Sequence, residues 1–318
     1  MTPEPFGQSE TKSKPYITVL SHSGGRQSQL ILEMVLCGEI EKPFNFVVLN
    51  ANPGMERRKT RLLIENNRER CHEAGIDYIT AQGPNLFNDI VNTRFNGATR
   101  MVNPPYWTKE VIPAHQEEVI NREGGKEILE VPETIKRGKL RQQCTEHYKI
   151  APMDRALRHY LSVKHGISWN TTRLRPGLVE KWIGFAHDEW HRCSSSGRGY
   201  IVETYPLIEL KMTKAHCVGW FLKKNMEVPT EVPIGSVCNG CFANGLKLFK
   251  EMYETEPEDW AQAVACDNAL EAWKGRITKQ EVFVSSSLVR LRDLPAINFG
   301  LEDEDMSEHH CNSGVCFL

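Results

Sequence analysis

The sequence predicts an α/β fold, a parallel sheet flanked by helices, with a helical cysteine-rich C-terminal region. Three observations carry that expectation. Residues 16–20 (YITVL) form an apolar, β-prone run that feeds a glycine-containing turn and then an apolar helix beginning near Gln29. The alternation recurs through residues 46–50 (FVVLN), the charged helical segment 56–74 and residues 78–81 (YITA), as parallel strands joined by crossover helices require. Both the first turn and the polar turn starting at Asn50 then fall at the carboxyl ends of strands, where ligands of such sheets gather.

The first turn is Ser21-His22-Ser23-Gly24-Gly25-Arg26-Gln27-Ser28. Gly24 and Gly25 let the backbone turn sharply and bring N–H groups close to a ligand. Those donors sit at a helix N-terminus, where partial positive charge favours phosphate, and Ser21, Ser23 and Ser28 add hydroxyls. An ordinary strand–turn–helix connection is the plain alternative. No Lys follows the glycines, so this is not the phosphate loop of kinases and GTPases.

At 318 residues, 40% hydrophobic and 25% charged, the chain can bury one large core or two modest ones. A formal net charge of −2 excludes a wholly basic surface. No apolar run approaches a membrane span, and the opening MTPEPFGQSETKSK lacks the layout of a signal peptide. A cytoplasmic protein with no membrane partner is expected. Its ten cysteines then point to metal or redox chemistry rather than a disulfide framework.

Residues 1–15 read as a disordered tail, and 16–210 as the nucleotide-binding α/β domain. Within it, residues 83–135 carry many Asn, Pro and Gly with little periodicity. They read as an irregular insertion or lid, whose Arg94, Arg100 and Lys109 can reach an anion. Residues 211–318 form the helical cysteine-rich region and its tail.

From residue 136 to 165 the chain turns basic: Lys136, Arg137, Lys139, Arg141, Lys149, Arg155, Arg158 and Lys164 face only Glu146 and Asp154. A solvated helix face is the usual meaning, yet Arg141 and Lys149 flank Cys144 and suit phosphates or a polyanion. Asp188, Glu189 and Arg192 follow a short strand at 182–185 and read equally as functional groups or a local ion pair.

Cys238-Asn239-Gly240-Cys241 is a Cys-x-x-Cys turn immediately before a helix, able to converge two sulfurs on one metal or cluster. Cys144 and Cys217 are the best candidates for further ligands, with Cys266 a weaker one. An all-thiolate set leaves zinc and an iron–sulfur cluster both open.

The Ser21–Ser28 turn resembles the PP-loop of ATP pyrophosphatases and of the phosphoadenosine-phosphosulfate (PAPS) reductase family. Gln27 stands where many of the former have Asp, which leans toward the reductase-like branch. Residues 141–152 (RQQCTEHYKIAP) resemble that family's Cys/Lys-Ile-x-Pro block. Residues 182–192, 205–207 with 217–220, 236–242 and 256–260 look like its later stretches in the same order. The branch resembled is found in phages and mobile elements and is related to the DNA-phosphorothioation sulfurtransferases.

That resemblance implies an adenine nucleotide alpha hydrolase-like fold, ATP with Mg2+ at Ser21, Ser23, Gly24, Gly25, Gln27, Ser28 and Asn50, and a [4Fe–4S] cluster. Cys144 matches the first of the family's paired cysteines, Thr145 replaces the second, and Cys238 and Cys241 match the later pair. Cys217 then supplies the fourth ligand. Arg141 and Lys149 would stabilise the leaving pyrophosphate, and the tail thiols Cys311 and Cys316 would carry a persulfide or resolve a disulfide. With His309 and His310 they could instead bind a second metal. The function implied is adenylylation of an acceptor followed by sulfur transfer. The partners implied are an adenine nucleotide, a nucleic-acid acceptor and a sulfur-donor protein, with self-association open. Reduction of PAPS or adenylyl sulfate is the alternative, and a non-catalytic nucleotide- and metal-binding component of a modification or defence complex is another.

Overall fold

A computed structural model describes residues 15–92, 104–120, 125–167, 174–226 and 238–300. The chain opens with β1 (Ile17–Ser21), α1 (Arg26–Leu36), β2 (Phe46–Asn52), α2 (Arg58–Glu73) and β3 (Asp77–Gln82). After α3 (Leu86–Val91) come β4 (Trp107–Ile112), β5 (His115–Ile120), β6 (Lys126–Val131) and β7 (Thr134–Lys139). A π-helical turn over Glu146–Ile150 runs into α4 (Ala151–His165), which starts with Pro152 in its first turn and ends at Gly166 in the left-handed conformation. β8 (Val179–Ile183), β9 (Ile201–Thr204), α5 (Pro206–Glu209) and α6 (Lys214–Lys223) follow. α7 (Leu246–Thr255), α8 (Pro257–Ala269) and β10 (Glu281–Phe283) come next, and a 3-10 segment over Leu291–Gly300 closes the described chain.

The central sheet is parallel throughout, in the order β3-β2-β1-β8-β9. Helices cover both faces, so β1 is buried along its whole length and reads as a continuous apolar run. On one face α1, α2, α5 and α6 bring Leu30, Cys71, Leu207 and Phe221 onto Leu20, Val48 and Trp182. On the other, α4 lays Met153, Leu157 and Leu161 against Val19, Val47 and Val179. The chain steps outward from β1 to β3 and returns to β8 on the other side of β1. The reversal opens a crevice at the carboxyl ends of β1 and β8. Gly184, just past β8, lies against the start of α1 there: a Cβ would stand 2.7 Å from the Ser28 backbone N.

A second core joins segments far apart in the chain. Met55, Leu86 and Tyr106 pack with Cys238, Phe249, Cys266, Trp273, Val282 and Leu294. Residues 83–135 thus contain strands where the sequence suggested irregular chain. β4 pairs antiparallel with β7 and with β10, and β5 pairs with β6. Short period-2 runs broken by Pro113 and Pro132 hid this pattern. Residues beyond 210 likewise divide between the two cores, because α6 packs on the central sheet. Residues 1–14 and the tail from 301, with Cys311 and Cys316, lie outside the described residues.

The two cores are bound by buried charge. Arg57, 2% exposed, donates from Nε and Nη2 to Glu256 Oε2 at 2.9 and 2.6 Å. Asp259 Oδ2 accepts the Arg58 backbone N–H at 2.9 Å, capping α2 from α8. Removing one member of a buried pair strands the other charge. Arg57→Ala is expected to lower stability by roughly 3–5 kcal/mol in urea titration, whereas Lys59→Ala, whose half-exposed side chain reaches the same carboxylate, should cost about 1 kcal/mol or less.

Candidate functional site

The turn between β1 and α1 has the form of an anion cradle. Gly24 adopts φ +74°, and a Cβ there would stand 2.6 Å from Thr60 Cγ2. Gly25 caps α1 with no side-chain hydrogen bond, and no acidic residue occupies the first turn. The leading N–H groups and the dipole of α1 therefore face the crevice with no acidic side chain on the helix's own first turn. Ser23 and Ser28 hold the turn closed. Their Oγ atoms lie 3.3 Å apart, Gly25 N donates to Ser23 Oγ at 3.3 Å, and Ser28 Oγ donates to Gly25 O at 3.1 Å.

Behind the turn runs a buried polar chain that the sequence reading missed. His22, 1% exposed, shares hydrogen bonds with Tyr78 OH through Nδ1 at 2.8 Å and with Gln29 Oε1 through Nε2 at 3.0 Å. Gln29 Nε2 donates to Glu33 Oε1 at 2.8 Å, Asn67 Nδ2 donates to Gln29 Oε1 at 2.6 Å, and Arg70 closes the chain with a two-pronged bond to Glu33 at 2.5 and 2.6 Å. Burial pushes the His22 imidazole down to about 4, against the Gln29 hydrogen bond and the Glu33 charge, which pull it up. Asn50 Nδ2 donates to His22 O at 2.9 Å and pins the turn to the end of β2. A polar residue on each of four elements was the available signal, but its partners are set by tertiary packing.

Gln27 is tied to the β8 side. Its Nε2 donates to Glu189 Oε2 at 3.3 Å, and the same carboxylate takes Arg192 Nη1 at 2.6 Å and lies 3.3 Å from Lys214 Nζ. The Glu189–Arg192 ion pair is therefore present, and it also anchors Gln27.

Two cavities open at this end of the sheet. A smaller one, about 250 Å³, is lined by Ser21, His22, Ser23, Ala51, Glu56, Lys149 and Met153. A larger one, about 500 Å³ and partly open to solvent, has Cys144, Cys238, Cys241, Tyr148 and Phe242 among its walls. Lys149 lines both. Burial alone would lower its ammonium, but Cys238, Glu56, Cys144 and Cys241 together hold it above the ordinary lysine value. Glu56, 4% exposed, is raised by burial to about 7, although Lys149 and Arg61 draw it down.

The Cys-x-x-Cys turn is held by its backbone. Glu56 and Cys238 form an isolated antiparallel bridge, Asn239 N donates to Met55 O at 2.8 Å, and Asn244 Nδ2 donates to both Cys238 O and Asn239 O at 2.9 Å. Tyr106 OH donates to Gly240 O and Trp107 Nε1 to Phe242 O, each at 3.1 Å. Gly240 is needed for close approach, since a Cβ would stand 2.9 Å from Met55 Cε and 3.2 Å from Cys266 Cβ.

Cys144, Cys238 and Cys241 are thus brought together, and Cys217 is not. Cys217 lies fully buried on α6 among Leu30, Leu207 and Phe221 at the central sheet, because α6 packs on α1 rather than on the second core. Cys266, the weaker sequence candidate, is the thiol beside the Cys-x-x-Cys turn. Three soft thiols lining one cavity suit a sulfur-ligated cluster in donor chemistry. Among the described residues, no three Cys, His, Asp or Glu side chains converge closely enough to hold a single ion. Arg141 is exposed and lines neither cavity. No helix among the described residues is long and apolar enough to cross a membrane.

No family model and no curated protein sequence matches the chain. Among solved structures, the chain is similar to the U34-tRNA thiolase NcsA from Methanococcus maripaludis with its [4Fe–4S] cluster. The identity is 12% and the TM-score 0.34, over 92% of this chain and 83% of that one. A likeness so distant transfers no residue role.

The depressed His22 gives a pH signature. The unfolded imidazole takes up its proton near pH 6.5 and the folded one only near 4. Stability is therefore full above pH 6.5 and falls by roughly 3 kcal/mol as pH drops through that window. Urea unfolding between pH 7 and 4 should show this loss, and His22→Asn should flatten it.

Proposed function

We propose that this chain is a PP-loop enzyme of sulfurtransferase type. It binds ATP on the turn from Ser21 to Ser28, adenylylates an oxygen of a nucleic-acid acceptor, and exchanges that oxygen for sulfur at the cysteine cavity. The observation that carries the reading is the shared wall: one cation, Lys149, borders both the phosphate-turn cavity and the thiol cavity. A nucleotide-activated oxygen and a sulfur site must adjoin for such an exchange, and the two cavities have Lys149 as a common lining residue.

In the first step the acceptor oxygen attacks the α-phosphorus and the bond to the β-phosphate bridge breaks, releasing pyrophosphate. The N–H groups at the start of α1 and the Ser23 and Ser28 hydroxyls bind the phosphates, and Lys149 offsets charge on the leaving group. In the second step a sulfide equivalent forms a C–S bond while AMP departs with the original oxygen. AMP leaves readily where a bare oxygen does not. A [4Fe–4S] cluster on Cys144, Cys238 and Cys241 would supply the place where sulfide is held.

Equilibrium binding of Mg-ATP, PAPS and adenylyl sulfate to anaerobically prepared protein tests this. Selective ATP binding, weakened tenfold or more by Ser23→Ala, is the expected result, and preference for a sulfonucleotide would replace the reading with the reductase. Iron and acid-labile sulfide measured after reconstitution should drop sharply in Cys144→Ser and Cys238→Ser and stay unchanged in Cys217→Ser. Equal losses in all three would contradict the assignment.

A further inference from the structure

The basic run splits in two, and its first half lies on a β-arm beside the cysteine cavity. In the β4–β7 ladder Trp107 pairs with Lys139, Lys109 with Arg137, and Val111 with Ile135, so these six side chains share one face. Two cations therefore stand directly opposite one another, an arrangement that costs stability unless an anion offsets it. Neither Lys109 nor Arg137 has an acidic partner within ion-pair reach among the described residues. Glu281 of β10 flanks Lys109 on its other side, but its carboxylate is held by Lys274 at 3.2 Å.

The opposite face of the ladder carries no such excess. Thr108 pairs with Gly138 and Ile112 with Thr134, while Lys136 faces Glu110. The cationic face is also continuous with the thiol cavity. Lys139 Nζ lies 4.0 Å from the centre of the Trp107 ring and 5.6 Å from that of Phe242, and Phe242 lines the cavity. Arg137 and Lys139, two residues apart on one strand, are separated by about 7 Å, a stride that suits successive phosphates of an extended strand.

We infer that this face of the β4–β7 arm is a track for single-stranded nucleic acid, binding its phosphates through Lys109, Arg137 and Lys139 and leading a base toward the thiol cavity. The inference rests on the nucleic-acid acceptor named above and deepens it. A single strand is specified because a base stacked and paired inside a duplex cannot reach a thiol recessed in a cavity wall.

The test is fluorescence anisotropy of a labelled 15-nucleotide single-stranded RNA with the full-length protein, from 50 to 250 mM salt and without ATP. Three phosphate contacts predict a slope of about −2 in log affinity against log salt. Arg137→Gln and Lys139→Gln should each reduce the slope by about 1 or less and weaken binding several-fold at 50 mM salt. Lys136→Gln, on the same strand but the other face, should leave affinity within twofold. Losses equal to that control, no RNA binding at any salt, or equal affinity for a duplex of the same length would each overturn the inference. ATP binding measured in parallel separates its failure from failure of the nucleotide site: intact ATP binding with no RNA binding removes the arm's role alone.

Discussion

Every functional relation in this structure depends on the docking of the Cys-x-x-Cys turn onto the connection between β2 and α2. The Glu56–Cys238 bridge and the Asn239 bond to Met55 O are backbone contacts, so they fix position without depending on side-chain rotamers. The connection they grip leaves the sheet at the carboxyl end of β2, the same end as the β1–α1 turn. The thiols therefore stand beside the crevice at that turn by construction, and Asp259 and Glu256 brace the same connection through Arg58 and Arg57.

The buried chain from Tyr78 through His22, Gln29, Asn67 and Glu33 to Arg70 gives the β1–α1 turn a rigid back. Its members come from β3, the turn itself, α1 and α2, and each hydrogen bond constrains the neighbour that makes the next. A turn whose backbone N–H groups must already point at a ligand gains from such support, because reorganisation on binding is then small.

The parallel sheet and the glycine turn between β1 and α1 were legible because their signals are local: apolar strands, a double glycine, an apolar helix. The pairing of Cys144 with Cys238 and Cys241 was legible from motif resemblance. The misplacement of Cys217 has a physical reason. Its helix is apolar enough to suit either core, and only the tertiary packing of α6 on α1 decides between them. The β-arm was hidden because Pro113 and Pro132 cut its strands into short pieces whose exposed faces carry little apolar alternation. The buried network behind His22 has no linear signature at all.

The manner in which the two cores are joined also sets an order of assembly. The ties that seat the cysteine turn join residues 199 and 201 positions apart, and such distant contacts form only after long loops close. Cys144 leaves the ribosome well before Cys238 and Cys241 and waits at the border of an unfinished cavity. The thiol-lined cavity is therefore complete only once the segment from Cys238 has docked on the β2–α2 connection. Loading of a sulfur-ligated group would then act as the final step of biogenesis, locking distant segments together and coupling the supply of that group to the yield of native protein.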